Sequence, residues 1–324
     1  MKILIILPNW LGDAIMATPA IELLAKHYPG AKFTFVGSFV SIEALKHHPL
    51  CDKAIVDETK KASSRLLATY KLARTLGEFS LAITFRNQFH SSLLLRFTGT
   101  VVCIAKSSWH SKLLLSHTPK IKSNKHLVKQ YSELAMINSD TFDGITPPLK
   151  LYIEKEHFNK PTLGLNAGAT YGSAKRWYPE RFAQVAAAFS DRYDIVIFGG
   201  PNEIEMAQDI EKNLLELDVN NYTNLAGKTS IKELCANIGA CELFITNDSG
   251  PMHVAAAYQV PTVAIFGPTR YKETSQWKNS KSIIVRKEME CSPCMKRECP
   301  LGHHECMTSI TSSEIILVAK KLHS

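Results

Sequence analysis

Thr246-Asn247-Asp248-Ser249-Gly250-Pro251-Met252-His253 is the stretch that decides how this chain is read. It follows the apolar run Leu243-Phe244-Ile245, a buried strand by composition, and runs into Val254-Ala255-Ala256-Ala257, which opens a helix. A strand ending in small polar residues and Gly, with a helix starting at once, aims unpaired backbone N–H groups at one spot. The helix dipole adds partial positive charge there, so a phosphate or diphosphate is the natural occupant. Pro251 suits the first helical turn, and Asp248 or Ser249 can cap it. Read alone, the same residues describe an ordinary capped helix. Two further loops of similar character tip the reading toward a ligand.

Outward from this stretch, apolar strand segments alternate with amphipathic helical ones, the mark of parallel α/β architecture. Expected strands are 2–7, 32–36, 53–56, 81–85 and 101–104, then 162–166, 195–198, 243–246 and 262–266. Expected helices are 15–27, 63–76, 126–137, 180–189, 203–215, 231–238 and 313–322. An irregular stretch, 107–160, separates the two runs. The expectation is two Rossmann-like domains, 1–155 and 156–324, joined near 147–161, with the last helix free to cross back. Ligands of such paired domains bind at the carboxyl ends of the strands, in the cleft between the halves.

Composition narrows the class. The 324 residues are 45% hydrophobic, enough for two cores of ordinary size. The five-residue apolar run near Met1 is too short for a signal peptide, and no segment approaches a membrane span. Eight Cys without evenly spaced pairs fit a reducing cytoplasm. A net charge of +8 favours acidic partners: nucleotides, phosphorylated substrates or an anionic membrane surface. Nucleic acid is the weakest of these, because the Lys and Arg are read as dispersed, without a basic helix or aromatic-basic ribbon.

The first ligand loop is Pro8-Asn9-Trp10-Leu11-Gly12-Asp13. Gly12 allows close backbone approach, and Asp13 is either an N-cap or a carboxylate placed to accept a proton. The dinucleotide fingerprint G-x-G-x-x-G is absent, which disfavours a nicotinamide dehydrogenase. The second loop runs from Asn166 to Trp177 and carries Gly168, Thr170, Tyr171, Gly172, Ser173, Lys175 and Arg176. Backbone N–H, hydroxyl and cationic groups there can wrap phosphate oxygens, although the spacing is not that of a Walker P-loop. Glu203, after Gly199-Gly200-Pro201, could bond a ribose diol or answer a helix dipole. Phe266-Gly267-Pro268-Thr269 ends a later strand and is expected to close the same pocket. Cys291, Cys294, Cys299 and Cys306 enclose His303-His304, and structural zinc, a labile disulfide and free thiols all remain open for them.

Taken together, Asn9–Asp13, Gly168–Trp177, Asn247–His253 and Phe266–Thr269 resemble the ADP-heptose-dependent lipopolysaccharide heptosyltransferases of glycosyltransferase family 9, nearest their heptosyltransferase II branch. The resemblance spans nearly the whole chain. It implies a GT-B fold, two Rossmann-like domains facing across a cleft. It also implies inverting transfer of L-glycero-D-manno-heptose from ADP-heptose to the first heptose on Kdo2-lipid A. By that resemblance Asp13 is the general base, and Asn9, Trp10 and Gly12 lie on the acceptor side. Thr170, Tyr171 and Lys175 hold the diphosphate, Glu203 the ribose, and Asp248, Ser249, Gly250 and His253 the donor-binding helix end. Asn87–Ser91 resembles a stretch facing the acceptor. No cofactor or metal is expected, since no two Asp stand two positions apart. The implied location is the cytoplasmic face of the inner membrane, held peripherally by basic residues, with no nucleic-acid partner. Other readings are heptosyltransferase I or III, a nucleotide-sugar 2-epimerase, and a non-catalytic nucleotide-sugar-binding protein.

Overall fold

A computed structural model describes residues 1–322. The chain divides into two units, Met1–Tyr152 and a second that begins at Ile153.

The first unit holds a parallel sheet of β1 (Lys2–Ile6), β2 (Lys32–Gly37), β3 (Cys51–Val56), β4 (Leu81–Thr84) and β5 (Cys103–Ala105), in the order β3-β2-β1-β4-β5. Central β1 reads Lys-Ile-Leu-Ile-Ile and is buried after its first residue, as a strand covered on both faces must be. Helices α1 (Leu11–Met16), α2 (Thr18–His27), α3 (Phe39–Leu45), α4 (Arg65–Leu76), α5 (Phe89–Phe97), α6 (Trp109–Leu114) and α7 (Leu127–Ala135) surround it. Leu94, Leu95 and Ala73, from α5 and α4, pack on Leu4, Ile6 and Ala82 of the sheet. The single helix expected over 15–27 is two. Pro19 lacks the N–H that would bond Ile15, and the Thr18 hydroxyl takes that carbonyl at 2.7 Å. β5 begins two residues later than expected, leaving Val101 84% exposed. The end of the unit is tied to α2, with Lys150 N donating to Thr18 Oγ1 at 3.1 Å and the Tyr152 hydroxyl to Glu22 at 3.0 Å.

The second unit holds β6 (Thr162–Asn166), β7 (Asp194–Phe198), β8 (Tyr222–Asn224), β9 (Leu243–Asn247), β10 (Thr262–Phe266) and β11 (Ser282–Arg286), ordered β11-β10-β9-β6-β7-β8 and parallel throughout. Its helices are α8 (Pro179–Ala187), α9 (Ile204–Glu216), α10 (Ile231–Ala240), α11 (Gly250–Ala257), α12 (Tyr271–Thr274), α13 (Glu305–Thr308) and α14 (Ser312–Lys320). Its core joins Leu163, Leu165, Ile195, Ile197, Ile245 and Ile265 to Trp177, Phe182 and Ile315. α14 packs on α8 and β10 of this same unit. β8 and β11 were not expected. They are short edge strands whose residues are mostly half-buried, so neither an apolar run nor a clean alternation marks them.

Both sheets reverse their strand order at the first strand of the unit, between β1 and β4 and between β6 and β9. Loops leaving two adjacent strands in opposite directions open a crevice at the carboxyl edge, where doubly wound sheets take ligands. Among the described residues, no helix is long and apolar enough to cross a membrane.

Candidate active site

In the second unit, the loops after β6 and β9 meet at that crevice. Asn166 ends β6, and its side-chain amide donates to Ser249 Oγ at 3.1 Å and to the Gly168 carbonyl at 3.2 Å. Asn247 ends β9; its amide donates to the Ala167 carbonyl at 2.5 Å, and its oxygen accepts from Trp177 N at 3.2 Å. Two strand-terminal asparagines therefore lace the loops together. Trp177 anchors the far end of the basic loop: its ring is 1% exposed and its indole N–H donates to the Ile310 carbonyl at 3.0 Å. Burying such a ring contributes roughly 2–3 kcal/mol to holding the loop in place.

Lys175 and Asp248 are brought into an ion pair at 2.6 Å, the carboxylate side chain only 4% exposed. Thr269 donates to the same carboxylate oxygen at 2.5 Å. Asp248 is thus not the helix cap. Ser249 holds the cap position of α11 without a side-chain capping bond, because its hydroxyl serves Asn166. The helix begins at Gly250, four residues earlier than Val254, so N–H groups of its first turn face the crevice. His253 lies one turn along α11 and is buried. Thr170 is exposed at the loop tip. The Tyr171 ring has Lys175 Nζ 4.8 Å from its centroid, and its hydroxyl donates to the Met295 carbonyl at 2.7 Å.

Glu203 sits on a 3-10 turn after β7, and its carboxylate accepts from Gly200 N at 2.8 Å. It also occupies the space over Gly168, where a Cβ would lie 2.0 Å from the Glu203 carboxyl carbon. Only Gly fits there. The loops after β6 and β7 are therefore in contact through one carboxylate, which also closes a capping box with Gly200.

In the first unit the loop after β1 is fixed by the start of α3. The Ser38 hydroxyl donates to the Asn9 carbonyl at 2.7 Å, and the Ser41 hydroxyl to the Pro8 carbonyl. Trp10 is the capping residue of α1 and 55% exposed, and Gly12 is buried. Asp13 is the third residue of α1 rather than its cap, half-buried, in the turn where the helix dipole favours a carboxylate. Burial, then the charge of Asp13, raise the buried Tyr131 hydroxyl well above the ordinary tyrosine value. The loop after β4 brings Arg86, which donates to the Leu7 carbonyl at 2.5 Å and pairs with Asp57 at 2.9 Å. Phe89 and His90 open α5 beside it, and burial, then the charge of Arg65, lower the His90 imidazole.

Sequence reasoning did not name Asn166, Asn247 or Thr269 as site residues, though all three lie in loops it singled out. It missed entirely that the Cys-rich segment buttresses the basic loop. Ala174 N donates to the Arg297 carbonyl at 3.0 Å, and Met295 N to the Pro268 carbonyl at 2.9 Å. A Cβ on Gly172 would lie 2.2 Å from the Arg297 oxygen. Cys291, Cys294, Cys299 and Cys306 line one cavity of about 20 Å³ with His303 and His304. All four are free thiols, and among the described residues no three His, Cys, Asp or Glu converge as a metal ion requires. His304 is engaged structurally, between the Tyr178 hydroxyl at 2.9 Å and the Ala174 carbonyl at 2.9 Å.

Residues 69–305 match the family model for glycosyltransferase family 9 (heptosyltransferase). The chain is 40% identical to lipooligosaccharide heptosyltransferase 2 of Campylobacter jejuni over 99% of its length and 98% of that protein's. It is 27% identical to lipopolysaccharide heptosyltransferase 2 of Escherichia coli, covering 98% and 97% of the two chains. The solved structure of Escherichia coli ADP-heptose lipopolysaccharide heptosyltransferase II superposes with a TM-score of 0.83 at 26% identity, over 99% of this chain and 98% of that one. The expected α/β class with two parallel sheets, GT-B-like, is the fold observed.

Proposed function

This chain belongs to glycosyltransferase family 9, the heptosyltransferase family, and from that premise we propose that it transfers heptose during assembly of the lipopolysaccharide core. The donor in this reading is ADP-heptose. The acceptor is the first heptose on Kdo2-lipid A, and the product is inverted at the anomeric carbon.

The observation that carries the proposal is the knot of Lys175, Asp248, Thr269 and the Ser249–Gly250 helix end at the switch point of the second sheet. A leaving diphosphate gains negative charge as the glycosidic bond breaks. A lysine and a helix amino terminus already in place stabilise that charge without reorganising. Thr170 and Tyr171 supply further contacts from the same loop, Glu203 is set to take the ribose diol, and His253 lies one turn along the donor-binding helix. Asp248 holds the Lys175 ammonium in place.

On the other reactant, the acceptor hydroxyl attacks the face opposite ADP through an oxocarbenium-like transition state. Asp13 accepts its proton as the new bond forms, a contribution of about 10²–10⁴-fold. Asn9, Trp10 and Gly12 shape the acceptor's approach to Asp13. No Asp-x-Asp pair is available to carry a divalent ion to the diphosphate, so turnover should persist in a chelator. The enzyme acts at the cytoplasmic face of the inner membrane, where its lipid-linked acceptor lies.

The test is mass spectrometry of core acceptors incubated with ADP-heptose. One added heptose on the mono-heptosylated core, and none on bare Kdo2-lipid A, is the expected result; the reverse pattern assigns a different position in the core. Asp13→Ala protein should bind ADP normally and transfer nothing. Full transfer by that variant removes Asp13 from the chemistry.

A further inference from the structure

Asn166 stands opposite Thr246 where β6 and β9 end side by side, and it is only 1% exposed. Its side-chain amide donates toward three acceptors: the Gly168 carbonyl at 3.2 Å, Ser249 Oγ at 3.1 Å and Thr246 Oγ1 at 3.4 Å. Its oxygen is equally buried and meets no donor among the described residues. Asn247, the last residue of β9, is used differently. It donates to the Ala167 carbonyl and accepts from Trp177 N, so both ends of its amide are satisfied. A buried amide held with one end unpaired needs a cause.

The Gly168 carbonyl fixes which way the Asn166 amide faces. A carbonyl only accepts, so turning the amide over would set oxygen against oxygen. The nitrogen therefore faces Ser249, and Ser249 Oγ is the acceptor in that contact. Thr246 is an acceptor too, since its own hydroxyl donates to the Asn247 carbonyl at 2.9 Å. The Ser249 and Thr246 hydroxyls lie 3.4 Å apart, long beside the ordinary O–H···O distance of about 2.7–2.8 Å. Within this network the Ser249 proton thus has no acceptor at ordinary distance. The same contact changes what Ser249 does for α11. A capping serine accepts from the N–H two or three residues on, and because Pro251 has none, that would be Met252 N. Ser249 makes no such bond. Asp248 and Met252 are buried, whereas Ser249 and Gly250 are half-buried, so solvent reaches this turn at the Ser249 hydroxyl and Gly250.

We propose that Asn166 is a positioning residue for the leaving group. By donating to Ser249 Oγ it makes the Ser249 hydroxyl a donor to a phosphoryl oxygen of the diphosphate, and it keeps the amino end of α11 uncapped for the same anion. The inference rests on the donor-site reading above and deepens it. Without Asn166, Ser249 Oγ is released to turn back and cap Met252 N, as serine does at an ordinary helix start. Held by Asn166, the hydroxyl makes a charge-assisted hydrogen bond to phosphate, one that strengthens as the glycosidic bond breaks and the diphosphate gains charge. The unpaired Asn166 oxygen is the cost of that orientation, since the amide cannot both serve Ser249 as donor and turn its oxygen toward the same loops.

The experiment is a double-mutant cycle on ADP affinity, read by calorimetric titration of the full chain carrying Asn166→Ala, Ser249→Ala or both. Ser249→Ala should raise the Kd about tenfold or more, as expected for a lost hydrogen bond to a charged group. Asn166→Ala should raise it about fivefold or more in the parent. In the Ser249→Ala background the same change should add nothing, because no hydroxyl is left to position. Asn166→Leu, close in size and without a donor, runs the same cycle if the alanine variant is unfolded. A purely structural Asn166 would weaken ADP binding equally in both backgrounds, and that additive result overturns the proposal. Full ADP affinity in Asn166→Ala or Asn166→Leu overturns it as well. A parent that binds no ADP would fail the donor-site reading itself, whereas a parent that binds ADP with an additive cycle fails this inference alone.

Discussion

Lys175 and Asp248 lie 2.6 Å apart on two different loops, and the pair ties the end of β6 to the end of β9. Removing one partner of a buried pair leaves the other charge uncompensated, which costs about 3 kcal/mol or more. Lys175→Met should therefore lower the thermal midpoint and raise the Kd for ADP by roughly 10–100-fold, the worth of a charged hydrogen bond to phosphate. The double variant Lys175→Met/Asp248→Asn should recover much of the stability, since no buried charge is orphaned, and none of the affinity. Calorimetric titration with ADP beside thermal melts separates the two effects. Recovery of ADP affinity in the double variant would mean that Lys175 serves only Asp248.

Gly168 and Glu203 make a second coupled pair. An Ala at 168 would place its Cβ against the Glu203 carboxylate and drive that side chain off Gly200 N. Gly168→Ala is expected to destabilise the protein by about 1–3 kcal/mol through overpacking and to weaken ADP binding. In a Glu203→Ala background the same substitution should cost almost nothing, because the obstructing carboxylate is gone. Additive losses in this double-mutant cycle would show that the two residues do not act on each other.

The central strands of both sheets were legible because burial on both faces writes unbroken apolar runs such as Ile3–Leu7 and Leu243–Ile245. The loops were legible because Gly, hydroxyl and charged residues cluster after those runs. The partnerships inside the site were not. Nothing local in Asp248 says that it pairs with Lys175, seventy-three positions away, rather than capping α11. Nor does Cys-x-x-Cys announce that the Met295 and Arg297 carbonyls hold the basic loop, since backbone acceptors leave no mark on residue identity. β8 and β11 escaped for the same reason that edges usually do: half-exposed strands follow no strict period.

Asp57 ties the loop after β3 to Arg86 after β4 and has a pH signature. Burial alone would raise its carboxyl, but the Thr59 hydroxyl and the Arg86 charge outweigh burial and leave it below the ordinary value. A carboxyl with a depressed folded pKa stabilises fully above its unfolded pKa of about 3.9, and that stability is lost as pH falls through the folded value. Asp57→Asn should therefore destabilise the protein at neutral pH and flatten the acid limb of its stability curve. An acid limb identical to the parent's would exclude Asp57 as a contributor.

Cys299 and Cys306 belong to the same cavity, yet their thiols are pushed in opposite directions. Backbone N–H groups of His304, Leu301 and Gly302 point at Cys299 and lower it. Burial, then the proximity of Cys291, Cys294 and Cys299, raises Cys306 to about 11. Alkylation proceeds through the thiolate, so near neutral pH iodoacetamide should modify Cys299 well before Cys306, and the ratio should narrow as pH rises toward 11. Peptide mass spectrometry over a time course reads this directly. Gly302→Ala, at a φ of +75°, strains the turn that presents those N–H groups and should slow Cys299 specifically. Equal rates at Cys299 and Cys306 in the parent would mean that neither the N–H groups nor the difference in burial separates the two thiolates.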